Sequence, residues 1–270
     1  MTLLTAWELQ AYNTATQSAN KIHDDDVARR FGFGGGLVPG VDVYAYLTHP
    51  PAEAWGLDWL QRGTMQARFL QPVYDGEIVR VTPIEQHHDE HGAHAHLEVH
   101  NSAGEVCAIA DASLPVHAVA APSADTWPDV EQVAAPPPAS SATLVPGMAF
   151  GLERHGFHAD RAGEYLDDVR DTLPLYREAR VAHPGWLLRD ANYVLSQNVR
   201  LGPWIHVESI AQHYRAVVDG ETVSTRALVA KEWEHKGHRF VTLDVAVLGD
   251  RDVAVRVEHT AIYAPRQVVS

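Results

Sequence analysis

The strongest constraint on the fold is an internal duplication. Residues 67–79 (ARFLQPVYDGEIV) align with residues 211–223 (AQHYRAVVDGETV), and Pro39-Gly40 aligns with Pro184-Gly185. Alternating apolar segments at 106–114 and 253–261 give a third match, and all three matches are about 145 positions apart. The 270 residues suffice for two small domains, so the repeat predicts two copies of one unit, at 1–117 and 147–270. The intervening segment 118–146 is rich in Ala, Pro and Ser, which is linker composition.

The sequence pattern of each copy predicts one main helix followed by several strands. Apolar residues recur at helical spacing in 186–198, and the apolar run 41–47 predicts a helix that continues in altered form past Pro50-Pro51. Tight hairpins are predicted at Asp75-Gly76 and Asp219-Gly220. The pattern predicts an α+β fold in which a long helix packs on an antiparallel sheet, twice. Alternating segments predict the strands 65–74, 77–84, 94–100, 106–116, 207–218, 221–232, 239–248 and 253–263.

Composition excludes several functional classes. The formal net charge of -14 repels nucleic acid, and no run of basic residues offsets it. The single cysteine, Cys107, cannot form a disulfide within one chain and is typical of a reducing compartment. The first ten residues lack the features of a signal peptide, and no apolar run has membrane-spanning length. We therefore expect a cytoplasmic protein without a membrane or nucleic-acid partner.

A histidine followed by a glycine-rich loop opens the first copy. Residues 18–25 read SANKIHDD, and residues 32–40 read GFGGGLVPG just before the predicted helix. This order resembles the hydratase motif of the MaoC-like dehydratases and R-specific enoyl-CoA hydratases. In that motif an Asp and a His precede Gly-Phe and then His-Gly. Three positions depart from it: Ser18 stands for the Asp, Lys21 for a Pro, and Pro39 for the second His. The matching residues are Asn20, Ile22, His23, Asp25, Gly32, Phe33 and Gly40.

The second copy keeps the complementary part of the motif. Asp171 and Pro174 match it, Tyr176 stands where the His is expected, and His183-Pro184-Gly185 opens the helix. Neither copy therefore has a complete Asp/His pair. A composite site of Asp171 with His23 is disfavoured, because two-fold symmetry would place the two motifs on opposite sides of the joined sheet.

The resemblance implies a double hotdog fold, in which the sheets of the two copies join edge to edge. It also implies reversible hydration of an enoyl thioester carried by coenzyme A or an acyl carrier protein, with no other cofactor and no metal. His23 is the expected general acid and base, since imidazole titrates near neutral pH. Ser18 and Asn20 are expected to hold the water, and backbone amides at Gly40 to polarise the thioester carbonyl.

Asp25, Gly36 and Val41 are predicted to contact the substrate. The acidic residues 24–26 have a second explanation, because carboxylates favour the positive N-terminal end of a helix. Two other functions stay open. The first is a hotdog thioesterase, and the second is a non-catalytic acyl-thioester binder or scaffold, which the incomplete Asp/His pairs suggest. A homodimer also stays open, and His23 itself could be a structural histidine.

Two further groups of residues have competing explanations. The segment 87–96 holds five histidines with Asp89 and Glu90, which are metal-ligand types, but it falls where a hairpin loop is predicted. A solvated loop is therefore the favoured interpretation. Trp186, Tyr193 and Trp204 either line an acyl tunnel or fill the core.

Overall fold

The computed structural model describes residues 2–250 and 252–266. The helices of this part are α1 (Asp25–Arg30), α2 (Gly40–Arg62), α3 (Ala162–Asp168), α4 (Pro174–Glu178) and α5 (Pro184–Ser196). Strands β1 to β5 are Trp7–Gln10, Thr64–Phe69, Ile78–His88, Gly92–His100 and Val106–Pro115. Strands β6 to β11 are Ala149–Gly151, His155–Gly156, Ile205–His213, Thr222–His235, His238–Leu248 and Val253–Ala264.

One antiparallel sheet runs through both copies. Its order is β1-β3-β4-β5-β2-β8-β11-β10-β9-β6, and β7 pairs with β9. Strands β2 and β8 join the two halves, with Met65 opposite Ala211 and Ala67 opposite Ser209. Read outwards from this junction, the two halves have equivalent strand orders. The predicted α+β fold, with two tandem helix-on-sheet units joined edge to edge, is confirmed.

The predicted hairpins at Asp75-Gly76 and Asp219-Gly220 are wrong about which strands pair. The glycines do have positive φ values, 75° at Gly76 and 86° at Gly220. However, β2 pairs with β5 and β8, whereas β3 pairs with β1 and β4. Likewise, β8 pairs with β2 and β11, and β9 lies beyond β10. The turn at Asp75-Gly76 is instead held by the residue that follows β1, because the Gly76 amide donates a hydrogen bond to the Ala11 carbonyl.

Helices α2 and α5 pack on each other and on the sheet. Residues 41–52 of α2 are buried on all sides, and Tyr44, Tyr46, Leu47 and Trp59 are fully buried, as expected for a helix segment enclosed by protein. It continues through the two prolines as predicted and breaks at Gly56, where φ is 59°. Among the described residues, no helix is both long and apolar enough to cross a membrane.

The segment with linker composition is packed along the second half. The Trp127 side chain is fully buried in a small cluster with Ala246, Leu248 and Val253. Its Nε1 donates a hydrogen bond of 3.1 Å to the carbonyl of Asp244. The segment 118–146 is therefore anchored on the second half at Trp127, whose large aromatic side chain is removed from solvent there.

Candidate functional site

His23 is held by contacts to both ring nitrogens. It ends a short 3-10 turn, Lys21–His23, whose N-cap is Asn20. Nδ1 lies 2.6 Å from the carbonyl oxygen of Leu37, which can only accept, so Nδ1 carries the hydrogen. Nε2 therefore presents a lone pair, and Asn20 Nδ2 lies 3.3 Å from it. Burial lowers the pKa of His23, with partial opposition from the Leu37 carbonyl and Asp42, so the neutral, proton-accepting ring predominates at neutral pH.

The glycine loop approaches the backbone of His23 closely. A Cβ at position 36 would overlap the His23 carbonyl, which also accepts a hydrogen bond of 3.1 Å from Asn13 Nδ2. Asp25 Oδ1 accepts from the Gly36 amide at 2.7 Å. Asp25 and Gly36 thus fix the loop and, with Tyr74 and His23, line a surface depression that adjoins the two cavities described below. Their predicted contact with substrate is untested.

The amino-terminal end of α2 carries free backbone donors. Its N-cap, Pro39, has no capping side chain, and its carbonyl accepts from the amides of Asp42 and Val43. Within residues 2–250 and 252–266, no protein group accepts from the amides of Gly40 or Val41. Such orphan N–H groups, at the positive end of a helix, are suited to an anionic or polarised oxygen.

Two cavities meet at His23. One is a polar cleft of about 560 Å³, and the other is an apolar cavity of about 240 Å³. Both are lined by Asn20, His23, Pro39, Asn192 and Trp204. The polar cleft adds Thr14, Gln17, Ser18, Val41, Arg189, Tyr193 and Arg200, whereas the apolar cavity adds Gly40, Val43, Phe69, Val73, Ile205 and Ile262.

The second half completes this site. Trp204 is bound to Asn20 through its backbone and lines both cavities, and Tyr193 lines the polar cleft. Trp186 instead lines a separate depression beside His155. Asn192 lies between the two cavities, and its buried Oδ1 has no hydrogen-bond partner in the described part of the chain. Sequence reasoning missed Asn192, because only the packing of α5 against the first half brings it there.

A buried ion pair joins the two central helices beside the polar cleft. Arg189 Nη2 on α5 lies 2.8 Å from Asp42 Oδ1 on α2, and the Asp42 side chain is inaccessible to solvent. Thr14 Oγ1 donates to the other Asp42 oxygen at 2.6 Å. This pair was also missed from the sequence, since both residues lie within apolar helices where their facing positions cannot be read without the packing.

The part of the second half that corresponds to the His23 site is closed. Asp171 is buried between His49 and His183, at 3.2 Å from a ring nitrogen of each. Burial alone would raise the pKa of Asp171, but the hydrogen bonds from His183 and His49 outweigh it and hold that pKa below its usual range. His183 Nδ1 accepts from the Gly185 amide at 2.9 Å, so the donor equivalent to Gly40 is already used. Asp171 contacts these histidines rather than His23.

Comparisons with known proteins agree with this architecture. No protein-family model matches the chain, and no curated protein matches it by sequence. A solved structure named as a MaoC domain dehydratase from Chloroflexus aurantiacus aligns with a TM-score of 0.66 at 13% identity, covering 98% of this chain and 95% of that one. Rv0216 from Mycobacterium tuberculosis, whose description states a double hotdog fold, aligns with a TM-score of 0.61 at 13% identity, covering 97% and 96%. The chain has a double hotdog fold.

A further solved structure with a similar fold carries a different activity in its name. It is named as a thioesterase from Novosphingobium aromaticivorans, with a TM-score of 0.58 at 10% identity, covering 96% of this chain and 95% of that one. Identities this low show the fold alone. Any activity of this chain must therefore be inferred from the geometry around His23.

Proposed function

We propose that this double hotdog protein hydrates an enoyl thioester, and by reversibility dehydrates the 3-hydroxyacyl thioester, in its first half. The observation that carries the proposal is the position of His23, between a polar cleft and an apolar cavity that reaches the free amino terminus of α2. The apolar cavity suits an acyl chain, and the polar cleft suits the arm of its carrier. Coenzyme A or an acyl carrier protein would supply that arm.

The parts have distinct chemical roles in this proposal. The thioester oxygen accepts hydrogen bonds from the amides of Gly40 and Val41, which stabilise the enolate as charge develops. Water takes the place of the Asn20 amide at His23 Nε2, attacks C3 and passes a proton to that nitrogen, whose lone pair is set by the Nδ1 contact with Leu37. The enolate then collapses, and C2 takes that proton from the imidazolium, which restores the neutral ring. Ser18 lies on the cleft wall and would hold the water together with Asn20, whose Nδ2 would donate to the water in place of His23 Nε2.

Two alternatives use the same site. A thioesterase would direct the held water at the thioester carbonyl, and a solved neighbour of that name shares the fold. A non-catalytic binder is suggested by Ser18, which leaves the first half without the motif's carboxylate. The three functions differ in what they release, so one set of assays separates them.

The test is a panel of trans-2-enoyl-CoA substrates of increasing chain length, assayed for loss of the conjugated enoyl absorbance and for release of free thiol. His23→Gln removes the base, and His117→Gln serves as a control because that histidine is exposed and outside the cavities. The proposal expects hydration that His23→Gln lowers by about 100-fold or more and His117→Gln leaves unchanged. Thiol release that depends on His23 would assign a thioesterase. Silence in both assays, with acyl-CoA still bound, would assign a binder.

A further inference from the structure

The hairpin between β3 and β4 brings three metal-ligand side chains together. His87 and His94 are a cross-strand pair, with rings stacked at a centroid distance of 4.8 Å. Asp89 lies in the connecting turn. One ligand atom from each of the three falls within 4.8 Å of the others. None of these residues lines the cavities at His23, so the cluster is independent of the proposed chemistry.

The carboxylate of this cluster is fixed by its own turn. Asp89 Oδ1 accepts hydrogen bonds from the amides of His91 and Gly92, at 2.8 and 3.1 Å. Gly92 has φ of 142°, and a Cβ there would overlap the Leu114 carbonyl. The turn is therefore set by backbone geometry.

The distances are close to those of a coordination shell. His94 Nε2 lies 3.6 Å from Asp89 Oδ1, and His87 Nε2 lies 3.9 Å from Asp89 Oδ2. Tetrahedral ligands at zinc-like bond lengths are separated by about 3.4 Å, so small side-chain rotations would suffice. His94 Nε2 is also buried without a hydrogen-bond partner within the described residues. The neighbouring His96 is already engaged, with its Nδ1 2.8 Å from Asp111.

We propose that His87, His94 and Asp89 bind one divalent transition-metal ion at the tip of this hairpin. Two imidazoles and one carboxylate suit Zn²⁺, with water as the fourth ligand, and the same donors accept Ni²⁺ and Cu²⁺. The ion would link the adjoining ends of β3 and β4 and so stabilise the hairpin. It binds the folded hairpin better than the unfolded chain, which separates the ligands, and so raises the unfolding temperature.

Calorimetric titration of the untagged full chain with Zn²⁺ alone tests the proposal. We expect one ion per chain, with affinity about 10-fold or more weaker in His87→Gln and in His94→Gln. Asp89→Asn removes the anionic ligand but keeps an oxygen for the two turn amides, and we expect a comparable loss. His88→Gln is the matched control, because that histidine is exposed and adjacent in β3 but outside the cluster.

A parallel thermal melt with and without Zn²⁺ uses the same variants, and circular dichroism confirms that each is folded. A zinc-dependent rise in the unfolding temperature should appear in the wild type and His88→Gln and vanish in His94→Gln. The proposal fails if the wild type binds no Zn²⁺. It also fails if His88→Gln weakens binding as much as His94→Gln, because that result indicates diffuse binding by a histidine-rich surface.

Discussion

The side-chain amide of Asn20 spans the backbone of Trp204, with Nδ2 3.0 Å from its carbonyl oxygen and Oδ1 3.2 Å from its amide nitrogen. The residue next to the base in the first half is thereby tied to the second half. Two such hydrogen bonds contribute roughly 2 kcal/mol together. The site around His23 therefore depends on how the two halves dock, although the motif residues lie in one half.

Asn20→Ala should lower both stability and activity. We expect the free energy of unfolding to fall by about 2 kcal/mol and the kcat/KM for hydration to fall about 10-fold, because His23 loses its neighbour at Nε2. Urea unfolding and initial-rate assays measure the two effects. Gln61→Ala is the control, since its amide is exposed on α2. Unchanged kcat/KM in Asn20→Ala would contradict a role for Asn20 in the site.

The pH profile of kcat/KM should have its acid limb below pH 6.5. His23 must be neutral to accept a proton, and burial lowers its pKa from the ordinary value of 6.5. Activity is therefore full above that value and falls as pH drops through the lowered pKa. Initial rates measured from pH 5 to 8 check this, with His117→Gln expected to give the same limb. A limb centred above pH 6.5 would contradict His23 as the base.

Gly40→Ala should lower kcat by displacing the start of α2. A Cβ at Gly40 would lie 2.8 Å from His206 Nδ1 and 3.2 Å from its Cβ, so either the helix end or the histidine must shift. Displacing the amides from the thioester oxygen should lower kcat by about 10- to 100-fold. Gly163→Ala, in α3, is the matched control because its Cβ would meet nothing within 4 Å. Equal kcat values for the two variants would exclude the helix terminus from catalysis.

Asp42→Ala should destabilise the fold strongly. It leaves Arg189, whose side chain is 19% exposed, without its carboxylate partner between the central helices. Removing one member of a buried pair costs about 3 to 5 kcal/mol. Asp167→Ala, which breaks an exposed pair with Arg177 at 3.5 Å, should change stability by less than about 1 kcal/mol. Urea titration compares the two, and similar losses would show that the Asp42 pair is effectively solvated.

Local patterns in the sequence predict the elements well and their partners poorly. Alternation predicts the eight longer strands, because one face of each is buried, but not the short strands β1, β6 and β7. The resemblance implies that the two sheets join edge to edge, and the strands that make this junction, β2 and β8, are known only from the structure. Turn chemistry at Asp75-Gly76 predicts the positive φ at Gly76 but not the pairing, since a turn fixes local geometry whereas the sheet order is set by distant packing. The anchoring of the segment 118–146 at Trp127 could not be predicted for the same reason, because the burial of this side chain depends on contacts with β10 and β11.

The site divides in a similar way. The motif predicts that His23, Asn20 and Gly40 belong to the site, because these residues lie close together in the chain and their arrangement depends mainly on local structure. It cannot locate Asn192 or Arg189, which reach the cleft from α5 through tertiary packing. The motif also implies a substrate contact for Asp25, which stays a prediction. The structure adds a supporting contact for the loop, because the Asp25 carboxylate accepts a hydrogen bond from the Gly36 amide.

Ser18→Asp tests whether the missing carboxylate limits the chemistry. Ser18 lines the polar cleft with His23, and its Oγ accepts from the Asn20 amide at 3.1 Å, an interaction that an aspartate oxygen can keep. A carboxylate there would add a second base for the attacking water, so we expect hydration to rise about 10-fold or more. Ser18→Asn, with nearly the same shape and no charge, should give no increase. A fall in both variants would contradict a limiting role for the missing carboxylate and would indicate that the serine hydroxyl itself holds the water.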